Sequence, residues 1–138
     1  MPSPHPELRD GSGALRPLPA PAVLLFWAAW CAPCRAEIRD LDALRRMAAP
    51  LPVIVVATDA DTRSRALLRG IAADSVRYPA SSEIDVMALL PGAALPAAMA
   101  LDAHGVVCGV RRGPVGPADL AEWRDRCAGA DPTPISSR

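Results

Sequence analysis

The chain has 138 residues, a formal net charge of 0 and 51% hydrophobic residues. Such a length and apolar content suit one globular domain with a substantial core. The balanced charge removes the electrostatic case for binding nucleic acid or an anionic membrane surface, and no apolar run approaches the roughly 18–20 residues needed to span a bilayer.

In chain order, residues 1–7 carry Pro2, Pro4 and Pro6 and are predicted to be disordered, leaving a domain over residues 8–128 and a flexible tail over 129–138. Leu8 to Leu15 reads as a short hairpin turning at Asp10-Gly11-Ser12-Gly13. Pro17, Pro19 and Pro21 form a stiff connector into Ala22-Val23-Leu24-Leu25-Phe26-Trp27, an unbroken apolar run that predicts a buried central strand. Residues 34–48 show helical periodicity, with Ile38, Leu41, Leu44 and Met47 three apart. A second buried strand is predicted over residues 51–57, ending at Thr58-Asp59. A helix follows over 61–72, capped by Asp61 or Thr62. Glu83 to Leu90 makes a short helix stopped by Pro91-Gly92. Strands are predicted over 97–102 and 105–111, joined by a tight turn, and a last helix runs from Ala118 to Cys127, opened by Pro117. The fold class is α/β: a mixed central sheet of four to five strands with helices on both faces.

The chemistry is concentrated in Phe26-Trp27-Ala28-Ala29-Trp30-Cys31-Ala32-Pro33-Cys34-Arg35. Two cysteines two residues apart sit where a strand ends and a helix begins. Pro33 falls in the first helical turn, where it costs no hydrogen bond. Cys31 then lies at a helix N-terminus, whose free N–H groups and dipole favour a thiolate. Cys34, one turn on, faces inward and is placed to resolve a mixed disulfide. An exposed nucleophile and a shielded resolving thiol are expected. Trp30 is expected at the surface beside them, Trp27 in the core.

With these residues the chain resembles the thioredoxin superfamily, and more closely its TlpA-like and ResA-like thiol–disulfide oxidoreductases. The likeness runs from about residue 7 to residue 127. It includes Glu37, which completes a Cys-x-x-Cys-x-x-Glu pattern, Leu95-Pro96 ahead of the 97–107 stretch, and Gly113-Pro114 before the last helix. The resemblance implies a thioredoxin fold and a cis Leu95–Pro96 bond beside the dithiol. It also implies a substrate groove formed by Trp30, Ala32, Pro33, Leu95 and Pro96. It further implies a bacterial periplasmic reductase of protein disulfides, of the type serving cytochrome c maturation. Such a protein would be fed by a membrane electron donor, act as a monomer, and require no cofactor or metal. Three positions depart from the pattern. Leu25 stands where ordinary thioredoxins have a buried aspartate, which leaves Glu37 as the acid for the Cys34 proton. Leu95 replaces a common threonine. Arg39 replaces a helix-kinking proline, so a straighter first helix is expected.

Several alternatives stand beside this reading. Glu37 is either a solvated helix residue or a carboxyl buried beneath the dithiol, where desolvation would raise its pKa and suit it to carry a proton. Cys108 shares a strand face with Val106 and Val110, Cys127 shares a helix stripe with Leu120 and Trp123, and a last helix running back along that strand brings the two near: buried thiols, a structural disulfide pinning the last helix, or a second redox pair. A zinc site would need about four ligands; only Cys108, Cys127, His5 and His104 remain, on unrelated elements. A disulfide oxidase or isomerase, a copper metallochaperone using the dithiol with His104, and a redox-silent docking module are the competing functions. The apolar stretch at 22–30 lies too deep and lacks the basic flank of a signal peptide. An exported protein would therefore carry its signal or anchor outside this sequence.

Overall fold

The computed structural model describes residues 6–9, 12–58, 66–69, 75–77, 82–90 and 94–128. Its centre is β3 (Ala22–Trp27), whose six residues are all buried. A strand with two covered faces needs apolar side chains at every position, which is why this run does not alternate. β3 pairs in parallel with β4 (Val53–Ala57), Val23 opposite Val53, and antiparallel with β6 (Ala97–Leu101), Phe26 opposite Ala97. β5 (Ser75–Arg77) extends the sheet beyond β4, and β7 (Val107–Arg112) extends it beyond β6, giving the order β5-β4-β3-β6-β7. A separate hairpin of β1 (Glu7–Arg9) and β2 (Leu15–Pro17) is antiparallel.

Side chains on β3 divide by parity, as the two-residue strand period requires. Val23, Leu25 and Trp27 pack with Ile38, Leu41, Leu44 and Trp123. These last come from α1 (Ala32–Arg39), α2 (Leu41–Ala48) and α4 (Pro117–Trp123). Leu24 and Phe26 join Leu8, Val86 and Leu90 on the other face, under β1 and α3 (Ser82–Leu89). Helices therefore cover both faces of a five-stranded mixed sheet, as the sequence predicts.

The first helix is not straight. It breaks at Asp40, which ends α1 and starts α2, with φ −98° and ψ 15°. A strict three-residue apolar repeat explains this, despite Arg39 in place of proline. On an ideal α-helix such a repeat slips by about 60° per step. At the break, the Asp40 N–H bonds to Glu37 O at 3.1 Å, a tighter turn that brings Ile38 and Leu41 onto one buried face.

One boundary also moves, and one strand is added. Pro6 is buried and its carbonyl accepts from Leu18 N–H, and β1 starts at Glu7, so residues 6 and 7 belong to the folded unit rather than a disordered lead. β5, three residues long, carries no apolar pattern in sequence. The predicted disorder over 1–5, the caps at Asp61 and Thr62, the Pro91-Gly92 stop and the tail over 129–138 lie outside the described residues; of the 61–72 helix, residues 66–68 are helical.

α4 continues as a π-helical turn over Arg124–Ala128. It is anchored to β7 by a Cys108–Cys127 disulfide, with Cα atoms 5.7 Å apart. Closing a loop of this length restricts the unfolded chain by about 3 kcal/mol. One turn earlier, Trp123 lies flat against the backbone of Gly109: a Cβ there would sit 2.5 Å from the indole Nε1. Because Trp123 is buried, Gly109→Ala should destabilise the protein by about 1–3 kcal/mol. The check is urea unfolding at constant m-value; an unchanged midpoint would mean the indole moves freely.

Candidate active site

β3 delivers the chain to the site. After Trp27, Ala28 and Ala29 stay buried, while Trp30 is 57% exposed. Cys31 is the N-cap of α1, with Pro33 in its first turn. Its Sγ accepts a hydrogen bond from Cys34 N–H at 3.2 Å, one of the donors a helix start leaves free. Cys31 and Cys34 form a disulfide, Cα atoms 5.2 Å apart. Arg35 donates to Ala29 O at 2.7 Å and ties the helix back to the loop that precedes it.

Both cysteines are buried, Cys31 at 3% exposure and Cys34 at 0%. The expected exposed nucleophile is thus covered in the disulfide-bonded form. Ala32 and Pro33, between them, are exposed, as is Trp30, so the disulfide lies just beneath an accessible surface.

Leu95–Pro96 is cis. The β3–β6 register puts Ala97 opposite Phe26, so Pro96 lies alongside the chain running toward Cys31. Pro96 is buried and Leu95 half-buried. The Pro96 carbonyl accepts from Gly113 N–H at 3.0 Å.

Glu37 is buried, at 7% exposure, one helical turn beyond Cys34. Its Oε2 accepts from Val115 N–H at 2.9 Å, and its Oε1 is buried without a hydrogen-bond partner. Burial pushes the carboxyl up to about 7, while the Val115 bond pulls it down. A cavity of about 230 Å³ borders the residue, lined also by Pro33, Asp40, Leu44 and Pro114. Bordering a cavity one helical turn beyond Cys34, this carboxyl changes charge near neutral pH, the condition a proton carrier must meet. Of the two sequence readings of Glu37, the solvated one is therefore set aside.

The backbone partners Gly113 and Val115 escaped the sequence reading, since an amide leaves no side-chain signature; Gly113-Pro114 is the nearest signal. His104 is exposed in the turn after β6. Because Leu101 pairs with Ala22 at the start of β3, that turn lies at the opposite end of the sheet from the dithiol. His104 therefore does not join Cys31 and Cys34, and the copper reading loses its third ligand.

The sheet order and helix placement are those of the thioredoxin fold. Among solved structures, the chain is similar to a thiol:disulfide interchange protein of the thioredoxin family from Chlorobium tepidum. Identity is 21%, the match covers 92% of this chain and 97% of that one, and the TM-score is 0.65. A thio-disulfide isomerase from Thermus thermophilus matches at 26% identity, covering 88% and 90%, with a TM-score of 0.59. A secreted disulfide oxidoreductase of Mycobacterium tuberculosis matches at 20% identity, covering 87% and 94%, with a TM-score of 0.59. No protein-family model and no curated protein matches the chain. Fold, Cys-x-x-Cys pair and neighbours together define a thioredoxin-like thiol–disulfide oxidoreductase.

The raised pKa of Glu37 fixes the sign of a pH effect. A carboxyl whose folded value lies near 7, above its ordinary 4.5, favours folding below about pH 4.5 and loses that contribution as pH rises through 7. The difference is worth on the order of 3 kcal/mol. Glu37→Gln should therefore flatten the fall in stability between pH 4.5 and 7, read by urea unfolding across that range. Parallel curves for the two proteins would place Glu37 in water.

Proposed function

We propose that this protein reduces disulfides in exported proteins, in the manner of the periplasmic reductases that serve cytochrome c maturation. In the reduced protein the Cys31 thiolate attacks a substrate disulfide. One substrate sulfur leaves as a thiolate and the other becomes joined to Cys31. Cys34, its proton taken by Glu37, then attacks Cys31 Sγ. The second substrate thiolate leaves and the Cys31–Cys34 disulfide forms. A membrane dithiol donor would return two electrons. Trp30, Ala32 and Pro33 present the accessible rim of the docking groove. Cis Pro96, which has no N–H, offers the Leu95 backbone to an extended substrate segment.

The observation that carries the reducing direction is the Glu37 carboxyl, buried one helical turn beyond Cys34. A thioredoxin-fold dithiol is a strong oxidant when its reduced form is stabilised. Here an acid in an apolar setting opposes a second negative charge on the resolving thiol. That favours the disulfide form and lowers the potential. Export is supported by the secreted M. tuberculosis relative, and a Cys108–Cys127 bridge suits an oxidising compartment. No helix among the described residues is long and apolar enough to cross a membrane. A monomer is the working assembly in this reading.

A glutathione redox titration, read by alkylation and peptide mass spectrometry, tests the direction. A Cys31–Cys34 potential toward the thioredoxin value of about −270 mV is expected; one toward the −120 mV of strong oxidants would make the protein a disulfide donor or isomerase instead. In an insulin reduction assay, Cys31→Ser should abolish turnover and Cys34→Ser should accumulate mixed disulfides. Glu37→Gln should slow exchange by roughly 100-fold and flatten its pH profile. Unchanged rates for Glu37→Gln would remove it as the proton carrier.

A further inference from the structure

The Cys108–Cys127 disulfide and the dithiol lie at opposite ends of the sheet. Cys108 is near the start of β7, beside the bulge at Ala100/Leu101, and Leu101 pairs with Ala22. β7 then runs toward the dithiol, where Arg112 pairs with Ala97. About 13 Å of strand separates Cys108 from Arg112. The chain crosses over residues 113–116 and returns along α4 to Cys127. β7, the crossing and α4 thus form a hairpin-shaped unit, closed covalently at its far end.

The crossing reaches the candidate site twice. Gly113 N–H donates to Pro96 O at 3.0 Å, and Val115 N–H donates to Glu37 Oε2 at 2.9 Å. Gly113 has φ +126°, a conformation that favours glycine, and it turns the chain between these two contacts. Both ends of the crossing are pinned locally: Arg111 Nε donates to Pro114 O at 3.2 Å, and Gly116 N–H donates to Asp119 Oδ2 at 2.9 Å. Behind these contacts, Trp123 packs on Gly109, Arg126 donates to Cys108 O at 3.1 Å, and the disulfide fixes the helix end to the strand.

We propose that the Cys108–Cys127 disulfide is a positioning clamp for the dithiol site, holding the 113–115 crossing so that its two amides fix Glu37 and the cis-proline strand. The bridge touches no reacting atom. It acts through α4, whose fixed end prevents the crossing from drifting away from α1. The carboxyl that handles the Cys34 proton is thereby held by a bond at the other end of the molecule. The consequence for exchange rests on the proposed role of Glu37; the clamp itself does not.

The test is a carbon-13 NMR titration of the Glu37 carboxyl in the oxidised protein. It compares the wild type with Cys108→Ala/Cys127→Val, which keeps apolar side chains at both positions. The Val115 bond lowers the Glu37 pKa, so its loss should move the inflection to higher pH and speed exchange of the Gly113 and Val115 amides. A bridge that only adds global stability would lower the melting temperature and leave the inflection in place, and that result would overturn the clamp. Val115→Pro, with the bridge intact, removes the amide N–H that Glu37 accepts from, together with the valine side chain. It should give the same upward shift, and an unmoved inflection there would also overturn the proposal, even if the cysteine variant does not fold. If the inflection shifts while Glu37→Gln leaves exchange rates unchanged, the clamp stands and the proton-carrier role falls.

Discussion

The pairing of β3 with β6 is the constraint on which the site depends. β3 is buried on both faces and hydrogen-bonded on both edges, so it has no freedom to slide. A one-residue slip would exchange Leu24 and Phe26 for Val23, Leu25 and Trp27 between two different cores. Everything reactive hangs from its C-terminal end. Cys31 follows four residues after Trp27, and Pro96 is delivered by the partner of Phe26. The dithiol and the cis-proline come from chain segments about sixty residues apart, and one antiparallel register brings them together.

Two opposing electrostatic influences meet at the disulfide. The start of α1 directs a backbone N–H to the Cys31 sulfur, which favours a thiolate there. In the proposed mechanism Glu37, buried one turn beyond Cys34, disfavours charge on the second sulfur whenever it is itself ionised. The two cysteines therefore sit in unlike surroundings although only two residues separate them. An attacking thiol and a resolving thiol need that difference: the first must be ionised before substrate arrives, the second only afterwards.

Much of this was legible in the sequence because it is written in side chains. The unbroken apolar run 22–27 specified a doubly covered strand, and Cys31-Ala32-Pro33-Cys34 at its end specified a helix start carrying a dithiol. Other features depend on the backbone or on distant packing. The break at Asp40 follows from a three-residue repeat that a straight helix cannot satisfy, yet the missing proline at Arg39 suggested the reverse. β5 has only Ser75, Val76 and Arg77, too short for any period. The length of the last helix brought Cys127 back near Cys108, but thiols and a bridge look alike until Cα atoms are placed 5.7 Å apart. Val115 contributes only an amide, and what it meets lies 78 residues earlier in the chain.

The outer edge of β7 carries a consequence of its own. An uncovered sheet edge is a template for joining a strand from another molecule, the first step toward fibrous aggregation. β7 is such an edge, and three features guard it. The bulge against β6 distorts its start, exposed Arg111 and Arg112 end it, and Arg126 occupies the Cys108 carbonyl. In the proposed role the protein meets incompletely folded clients, chains that seek a strand to pair with. This edge then gives such chains no ready strand to pair with, and the cis-proline side is where a client backbone settles.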